Sequence, residues 1–419
     1  MASNAALELA DALWRGEARI EDHHPVGYLG ELAEVAEGVA FVPSFANVVA
    51  FATGDGLLLV DTGSAMLAQH IHEQVRGWSE DPVHTVVYTH GHIDHVMGMP
   101  LWDAEADDAG RDRPRVVAHE AILARFDRYR LTAGYNAAIN RRQFQVEELE
   151  WPTDYRVPDE TYRDELAVEV GGERFECHHA RGETDDHTWV WAPERRVLCT
   201  GDFFIWAAPN AGNPQKAQRH PRDWAGALRE MAALGAEALL PGHGLPVVGA
   251  DRVRQALEDT AALLESIVEQ TLALMNEGAS LDAVLAGVRP PAELLERPYL
   301  RPVYDEPEFV VRNLWRLYGG WYDGDPATLK PARAADLAAE LAALAGGAQR
   351  LADRARELAE AGDLRLAGHL AQLAGQAAPD DAAIQSARAE VFERRAAAEA
   401  STMARGVFAG AAAEARKRA

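Results

Sequence analysis

The chain has 419 residues, of which 48% are hydrophobic and 26% are charged, so it is long enough for two domains with large cores. Its formal net charge of −25 at pH 7 argues against a nucleic-acid partner and against docking on an anionic membrane, because both need basic surface. A small anionic substrate remains compatible with this charge, since local arginines or metal ions can outweigh the distant surface.

The first residues carry no secretory signal, because residues 1–8 (Met-Ala-Ser-Asn-Ala-Ala-Leu-Glu) contain no basic region followed by an apolar run. No stretch of about 18 uninterrupted apolar residues occurs either, so no membrane-spanning helix is expected. Cys177 and Cys199 are too few for a disulfide framework, and we expect two buried free thiols. Together these features predict a cytoplasmic protein.

The sequence changes character near residue 250. Before it, short β-rich runs alternate with turn residues and amphipathic segments, which is typical of a layered α/β domain. After it the pattern is helical, beginning with apolar residues at helical spacing over 251–276. We therefore predict an α/β domain over 1–265 and an all-helical domain over 266–419. The predicted strands are 47–51, 56–60, 83–88, 116–118, 188–191, 196–200 and 238–240, and the later helices are 308–320, 332–345, 347–361, 364–376, 380–397 and 400–417.

The strongest functional signal is the run at 89–95 (Thr-His-Gly-His-Ile-Asp-His), which directly follows a predicted buried strand. A loop at the end of a strand can direct alternate side chains to one place, so His90 and His92 can share an ion. Asp94 and His95 can then face a second ion nearby. Neutral imidazoles and a carboxylate are ligands that Zn²⁺ and similar ions prefer. The alternative, a surface turn rich in histidine, is disfavoured by the preceding strand.

These four side chains cannot complete two metal sites, so further ligands must come from downstream. Three candidates each follow a predicted strand: Glu183, Asp202 and His243. Glu183 has an alternative, because a neighbouring histidine would suit zinc equally well and Glu183 would then be a surface acid. The histidines in question are His178, His179 and His187.

The order of these motifs resembles the metallo-β-lactamase superfamily over residues 40–245. The shared features are Asp61 after an early strand, the HxHxDH loop, a ligand in the third motif, a Gly-Asp carboxylate and a late Gly-His. The resemblance implies an αββα sandwich with two metal ions at one edge between the sheets. It implies a first ion held by His90, His92 and Glu183, a second held by Asp94, His95 and His243, Asp202 as the bridge and Asp61 orienting the ligand loop. We place His179 behind the ligands as well.

The alkylsulfatase branch of that superfamily is the one this chain resembles. Its class III enzymes also carry a carboxylate where Glu183 stands. Residues 313–327 are similar to the start of the alkylsulfatase dimerisation domain, which implies a homodimer through the C-terminal helices; an intrachain helical cap is the alternative. The chain departs from that branch in two respects. Asp202 replaces the more usual Glu, and no sterol-carrier-like domain follows the helices, which puts long-chain specificity in doubt.

The predicted reaction is hydrolysis of an organic sulfate ester by a hydroxide bridging two Zn²⁺ ions, with Fe or Mn not excluded. Residues 135–142 resemble the substrate-side segment of the alkylsulfatases. The predicted substrate-binding residues are Asn140, Arg141, Arg142 and Arg219, and the predicted catalytic residues are Asp94, His187 and His220. Either histidine could be the general acid, although His187 could instead hydrogen-bond a metal ligand.

Two other functions use the same scaffold. The first is hydrolysis of a carboxylic ester, lactone, thioester or phosphoester, because the metal cluster serves all of these. The second is di-iron redox chemistry, which the sequence disfavours, since di-iron relatives carry Glu in the loop where this chain has His92.

Overall fold

Two mixed β-sheets form the core of the N-terminal half in the computed structural model, which describes residues 4–419. The strands are β1 (Ala33–Ala36), β2 (Val39–Val42), β3 (Val48–Thr53), β4 (Gly56–Val60), β5 (Val83–Val87), β6 (Arg115–His119), β7 (Glu160–Tyr162), β8 (Glu165–Val170), β9 (Glu173–His179), β10 (Thr188–Ala192), β11 (Val197–Gly201), β12 (Ala238–Pro241) and β13 (Val247–Val248). Each strand predicted from the sequence is confirmed, and β1, β2, β7, β8, β9 and β13 are additional.

The first sheet contains β1 to β7 in chain order, with β1 to β4 antiparallel and β4 to β7 parallel. The second has the order β13-β12-β11-β10-β9-β8, in which only β11 and β12 are parallel. The sheets pack face to face, because Phe51 and Val87 share one hydrophobic cluster with Phe175 and Leu240. The rings of Phe51 and Phe175 lie edge to face at 5.1 Å, a geometry that adds about 0.5–1.5 kcal/mol to burial.

Helices cover the outer faces of both sheets. Strands β4, β10 and β11 are buried along their whole length, which requires cover on both faces. The helices are α1 (Ala5–Trp14), α2 (Ala68–Trp78), α3 (Ile93–Val96), α4 (Met99–Asp108), α5 (Ala121–Leu131), α6 (Ala133–Phe144), α7 (Pro221–Ala233), α8 (Ala250–Asn276), α9 (Leu281–Gly287), α10 (Ala292–Leu295), α11 (Pro307–Gly319), α12 (Pro326–Leu329), α13 (Ala334–Ala345), α14 (Ala348–Glu360), α15 (Leu364–Ala377), α16 (Ala382–Ala398) and α17 (Thr402–Arg416).

The layers follow from which helices contact which sheet. Helix α2 contacts β2 and α4, while α8 contacts β12 and β13 and packs against α7. The predicted αββα sandwich followed by helices is confirmed. Within residues 4–419, no helix combines the length and the hydropathy that a bilayer crossing needs.

The chain forms two compact units, and each contains discontinuous segments. The first comprises the residues up to 133 together with 152–277 and 284–318, and the second comprises 134–151, 278–283 and 319–419. The boundary predicted at residue 265 falls inside α8, a continuous helix whose apolar face is buried. Helix α11 also belongs to the first unit up to residue 318, so the structure divides the helical part of the sequence differently from the prediction.

The second unit is built from alanine-rich helices. Small side chains such as Ala355, Ala367 and Ala371 are buried where α14, α15 and α16 pack, so the helix backbones can approach closely. The starts of the helices are fixed by acidic caps, because Asp363 accepts from Leu366 N–H and Asp381 accepts from Ala383 and Ile384 N–H. The helices predicted over 332–417 are confirmed to within two residues at each end.

Candidate metal centre

The candidate ligands all follow the carboxyl ends of strands at one edge of the sandwich. Strands β4 and β5 are parallel neighbours, as are β11 and β12, so their ends lie side by side. The loop at 89–95 follows β5, Asp202 directly follows β11, and His243 follows β12. This edge is the usual place for a binding site in a sheet with parallel strands.

The first group of possible ligand atoms comes from His90, His92 and Asp202. His90 Nε2 lies 2.8 Å from His92 Nδ1 and 3.8 Å from Asp202 Oδ2. Glu183 stands beside this group, with Oε1 4.0 Å from His92 Nδ1. Glu183 is 2% exposed, so it is not a surface acid. The structure therefore brings together every residue that the resemblance assigned to the first ion.

The second group comes from Asp94, His95 and His243. Asp94 Oδ2 lies 3.7 Å from His95 Nε2 and 3.5 Å from His243 Nε2. Asp202 reaches both groups, because its Oδ1 lies 3.5 Å from His95 Nε2 and its Oδ2 lies 3.3 Å from His243 Nε2. Asp202 therefore has the position that a bridging carboxylate needs.

These distances fit a metal ion. Two ligand atoms at zinc bonding distance and tetrahedral angle are about 3.4 Å apart, close to the separations around Asp202. His95 Nε2 and Asp202 Oδ1 are buried, and neither has a hydrogen-bond partner among residues 4–419. Buried polar atoms without a partner are costly unless a ligand satisfies them. The donor set of imidazoles and carboxylates is the one zinc prefers.

The charges in the two groups differ. Burial lowers the pKa values of His90 and His92 well below the usual range, so both rings are neutral and able to bind a cation. Burial also acts to lower the pKa values of His95 and His243, but nearby carboxylates outweigh it. Asp202 and Asp61 raise the pKa of His95 to about 10, and Asp202 and Asp94 raise that of His243. The second group therefore favours positive charge, which a metal ion would supply.

Asp61 hydrogen-bonds the loop at 89–95 at two residues. It follows β4 in the left-handed region, with φ 62°. Its Oδ1 accepts from Thr89 N–H, and its Oδ2 accepts from Thr89 Oγ1 and His95 Nδ1, each at 2.7 Å. Because Nδ1 of His95 is held from behind, Nε2 faces Asp202. Such contacts behind a ligand fix its orientation and tautomer.

A second carboxylate, Asp186, holds the same loop from the other side. Its Oδ2 accepts from Gly91 N–H at 2.8 Å, and its Oδ1 accepts from Arg125 Nε at 2.6 Å. Burial acts to raise the pKa of Asp186, but Arg125 opposes it and the pKa lies below the usual range. The amide between the two ligands His90 and His92 is thus fixed by a buried ion pair that the sequence analysis missed, because Arg125 has no motif around it.

The turn carrying His243 is fixed by Asn47, which the sequence analysis also missed. The Asn47 side chain donates to the carbonyls of Pro241 and Gly244, at 3.0 and 2.9 Å. His243 Nδ1 hydrogen-bonds the carbonyl of Phe45. A Cβ at Gly242 would lie 2.2 Å from Asp202 Oδ1, so only glycine lets this turn approach the Asp202 carboxylate.

His187 and His179 lie behind the ligands. His187 is fully buried, and its Nε2 accepts from Asp202 N–H at 3.1 Å, while its ring packs between His90 and Phe203. Burial lowers its pKa to about 3. His179 Nδ1 hydrogen-bonds the carbonyl of His187 at 2.9 Å. Two roles were predicted for His187, general acid or hydrogen-bond partner of a metal ligand. Its hydrogen bond with Asp202 favours the second.

The predicted substrate-binding residues separate into two sets. Arg219 is 2% exposed and donates from Nη2 to Glu183 Oε1 at 3.0 Å. Asn140, Arg141 and Arg142 belong to α6 of the second unit, where Asn140 donates to the Asn136 carbonyl and Arg141 to the Leu149 carbonyl. Arg219 therefore lies among the metal-centre residues, while substrate binding by Asn140, Arg141 and Arg142 stays a prediction.

The segment that carries Arg219 contributes other polar residues that the sequence analysis missed. Asn210 donates from Nδ2 to Glu183 Oε1. Lys216 is partly buried; burial and Arg219 lower its pKa to about 8, while Asp94 and Glu183 act in the opposite direction. Tyr304, from a later part of the chain, was also missed. Burial raises its pKa well above the usual range, with Glu183 adding to the effect. The polar character of the segment after Asp202 was the only signal in the sequence that could have pointed to Asn210 and Lys216.

The metal centre is open on one side. The side chains of His92 and Asp94 keep 15% and 20% of their accessible surface, whereas those of His90 and His95 keep none. His92 and Asp94 are therefore the members of the two groups that keep contact with solvent. His220, at the start of α7, is also only partly buried.

Comparison with known proteins agrees with this geometry. Residues 41–243 match the model of the metallo-beta-lactamase superfamily, and residues 280–418 match that of the alkyl sulfatase dimerisation family. The chain is 27% identical over 363 residues to a linear primary-alkylsulfatase of a Pseudomonas species, covering 81% of this chain and 68% of that protein. It is 27% identical over 377 residues to an (R)-specific secondary-alkylsulfatase of Pseudomonas, covering 83% and 57%.

A solved structure of a stereoselective inverting secondary alkylsulfatase from Pseudomonas aligns with a TM-score of 0.84 and 25% identity. That alignment covers 93% of this chain and 66% of the solved one. The chain therefore spans between 57% and 68% of the length of these relatives.

Glu183→Ala is expected to lower the bound metal from two ions per chain to about one, because the first group loses its own carboxylate. Metal is counted by mass spectrometry after the zinc-loaded protein has been freed of excess zinc. Glu194→Ala, at an exposed acid, is the matched control and should keep both ions. A Glu183→Ala variant with both ions and full activity would show that Glu183 is not a ligand.

Proposed function

We propose that this chain, which belongs to the metallo-beta-lactamase superfamily, is a dinuclear metal hydrolase that releases sulfate from organic sulfate esters. The observation that carries the proposal is Arg219, a buried guanidinium that contacts Glu183 beside the first metal group. Three carboxylates, those of Asp94, Glu183 and Asp202, lie at the centre, so an anionic substrate needs opposing positive charge close by. The alkylsulfatases among its relatives support the same substrate class.

The ions in this proposal are two zinc ions, held as the donor set suggests. His90, His92 and Glu183 would hold the first, Asp94, His95 and His243 the second, and Asp202 would bridge them. When bound, two such ions supply a nucleophile at neutral pH by lowering the pKa of water, and they offset charge that develops on the ester. A bound cation would also ionise Glu183, whose pKa burial and Asp202 raise to about 8, with Arg219 opposing them.

Arg219 would hold the sulfate group. Arg219 presents its guanidinium from a buried position, and its Nε has no hydrogen-bond partner among the described residues. Guanidinium and ammonium groups form short, charge-assisted hydrogen bonds to sulfate-like oxygens. Because Arg219 already contacts Glu183, a sulfate bound there would lie next to the first metal group.

His220 is the better of the two predicted proton donors. It follows Arg219 directly in the sequence and is partly exposed, as a proton donor to a leaving alcohol needs to be. His187 is fully buried and its Nε2 is occupied by Asp202 N–H. We assign proton donation to His220 and the support of Asp202 to His187. Asp94 acts through the second ion.

Sulfate release tests this proposal. Zinc-loaded protein is given hexyl to dodecyl sulfates, para-nitrophenyl carboxylic esters and lactones, and free sulfate is measured by ion chromatography. We expect release from at least one alkyl sulfate. Turnover of a carboxylic ester with no sulfate release across the panel would contradict the proposal and favour a different ester.

Arg219→Ala is expected to raise KM for that alkyl sulfate by about tenfold or more, because a charge-assisted contact to the anion is lost. Arg222→Ala, at an exposed position on α7, is the matched control and should leave KM unchanged. Equal KM values for the Arg219 and Arg222 variants would show that Arg219 does not bind the sulfate group.

We further propose that the protein is a homodimer formed through the second unit. Helix α13 exposes Leu337 and Leu344, at 51% and 78%, and they are seven residues apart on one face. Trp321 is also 68% exposed. Two leucines on one face of a helix can form an apolar contact stripe, and the dimerisation family matched over 280–418 supports a second copy as the partner.

The double variant Leu337→Glu, Leu344→Glu is expected to halve the mass in solution, because charges on the interface would have to be buried in the dimer. The measurement is gel filtration with light scattering. Glu340→Gln, exposed on the same helix, should remain dimeric. A wild-type monomer, or a double variant that stays dimeric, would contradict the proposal.

A further inference from the structure

The segment from Asn210 to His220, here the 210–220 loop, carries the proposed sulfate-binding and proton-donating residues. It has no helix or strand of its own. The backbone N–H and C=O groups of such a segment need partners elsewhere, because unpaired groups are costly when buried. Those partners determine where Arg219 and His220 lie.

One side chain, Asn313 on α11, joins the two ends of this loop. Its Nδ2 donates to the carbonyl of Ala211 at 2.9 Å and to the carbonyl of Arg219 at 3.1 Å. Its Oδ1 accepts from Arg219 N–H at 3.3 Å and from the Gln218 side chain. Asn313 is 9% exposed. A single carboxamide therefore closes the loop from residue 211 to residue 219.

Asp305, just before α11, holds the beginning of the loop. Its Oδ2 accepts from Gly212 N–H at 2.6 Å and from Asn213 N–H at 3.0 Å, and the residue has no exposed surface. The backbone of Phe309 lies 2.3 Å from where a Cβ on Gly212 would stand. The loop thus packs directly on the start of α11.

We propose that Asn313 is a positioning residue that sets the placement of Arg219, and through it the affinity for the substrate's anionic group. The proposal rests on the function proposed above, in which Arg219 binds sulfate. Asn313 fixes both the N–H and the C=O of Arg219, whose guanidinium lies 3.0 Å from Glu183. Part of the stretch that matches the dimerisation family therefore serves the metal centre, since residues 305 and 313 belong to the first unit.

Kinetics on Asn313 variants test this role. Asn313→Ala removes all four contacts, and Asn313→Asp keeps the shape while losing both donated hydrogen bonds. We expect either variant to raise KM for an alkyl sulfate about tenfold, to change kcat less, and to keep two metal ions. Arg312→Ala, exposed on the same helix, is the matched control and should match the wild type.

A double variant separates positioning from general support of the fold. If Asn313 acts through Arg219, adding Asn313→Ala to Arg219→Ala should raise KM little further. The proposal would be overturned if the two substitutions multiplied their effects on KM in the double variant, or if KM were unchanged in both Asn313 variants. Loss of metal in Asn313→Asp would also overturn it, because that result indicates a role in the metal centre itself.

Hydrogen exchange gives a readout that does not depend on the reaction. In Asn313→Ala, the peptide covering 209–220 should exchange at least tenfold faster, while the peptide covering 89–95 should not change. Unchanged exchange at 209–220 would overturn the positioning role. Absence of sulfate release by the wild type would instead contradict the proposed function, so the two failures are distinguishable.

Discussion

The structure depends on one buried carboxylate, Asp202, placed between two groups of imidazoles. Its two oxygens lie within 3.8 Å of His90, His95 and His243. A buried charge is tolerated only when it is paired or binds a cation. The close approach of the Gly242 turn and the hydrogen bond from Asp202 N–H to His187 both keep this carboxylate in place. The two-sheet fold brings the ends of β5, β11 and β12 together around it.

Three loops around the centre share a second property, because polar side chains from other parts of the chain fix them. Asp61 and Asp186 hold the loop at 89–95, Asn47 holds the turn of His243, and Asn313 holds the 210–220 loop. Loops without secondary structure would otherwise place their side chains loosely. Ligand geometry within a few tenths of an ångström depends on such supporting contacts.

The sequence predicts the parts of the structure that depend on neighbouring residues, and it does not predict contacts between residues far apart in the chain. The strands around the metal motifs were predictable from apolar runs, and the metal-centre residues from their places after those strands. Strands β8 and β9 were not, since they interleave Glu, Arg and His with apolar residues, as in Glu165–Val170. Arg125 and Asn313 were beyond reach, because their partners lie 61 to 102 positions away. Motif similarity also pointed to Asn140, Arg141 and Arg142, which belong to the second unit, and their role in substrate binding stays a prediction.

The most direct test is a crystal structure of the zinc-loaded protein with sulfate, using anomalous scattering at the zinc edge. The account predicts two zinc peaks about 3.5–4 Å apart, with Asp202 between them, Glu183 bonded to the first, and sulfate in contact with Arg219. A single zinc peak, or a first ion bonded to a histidine in place of Glu183, would contradict it.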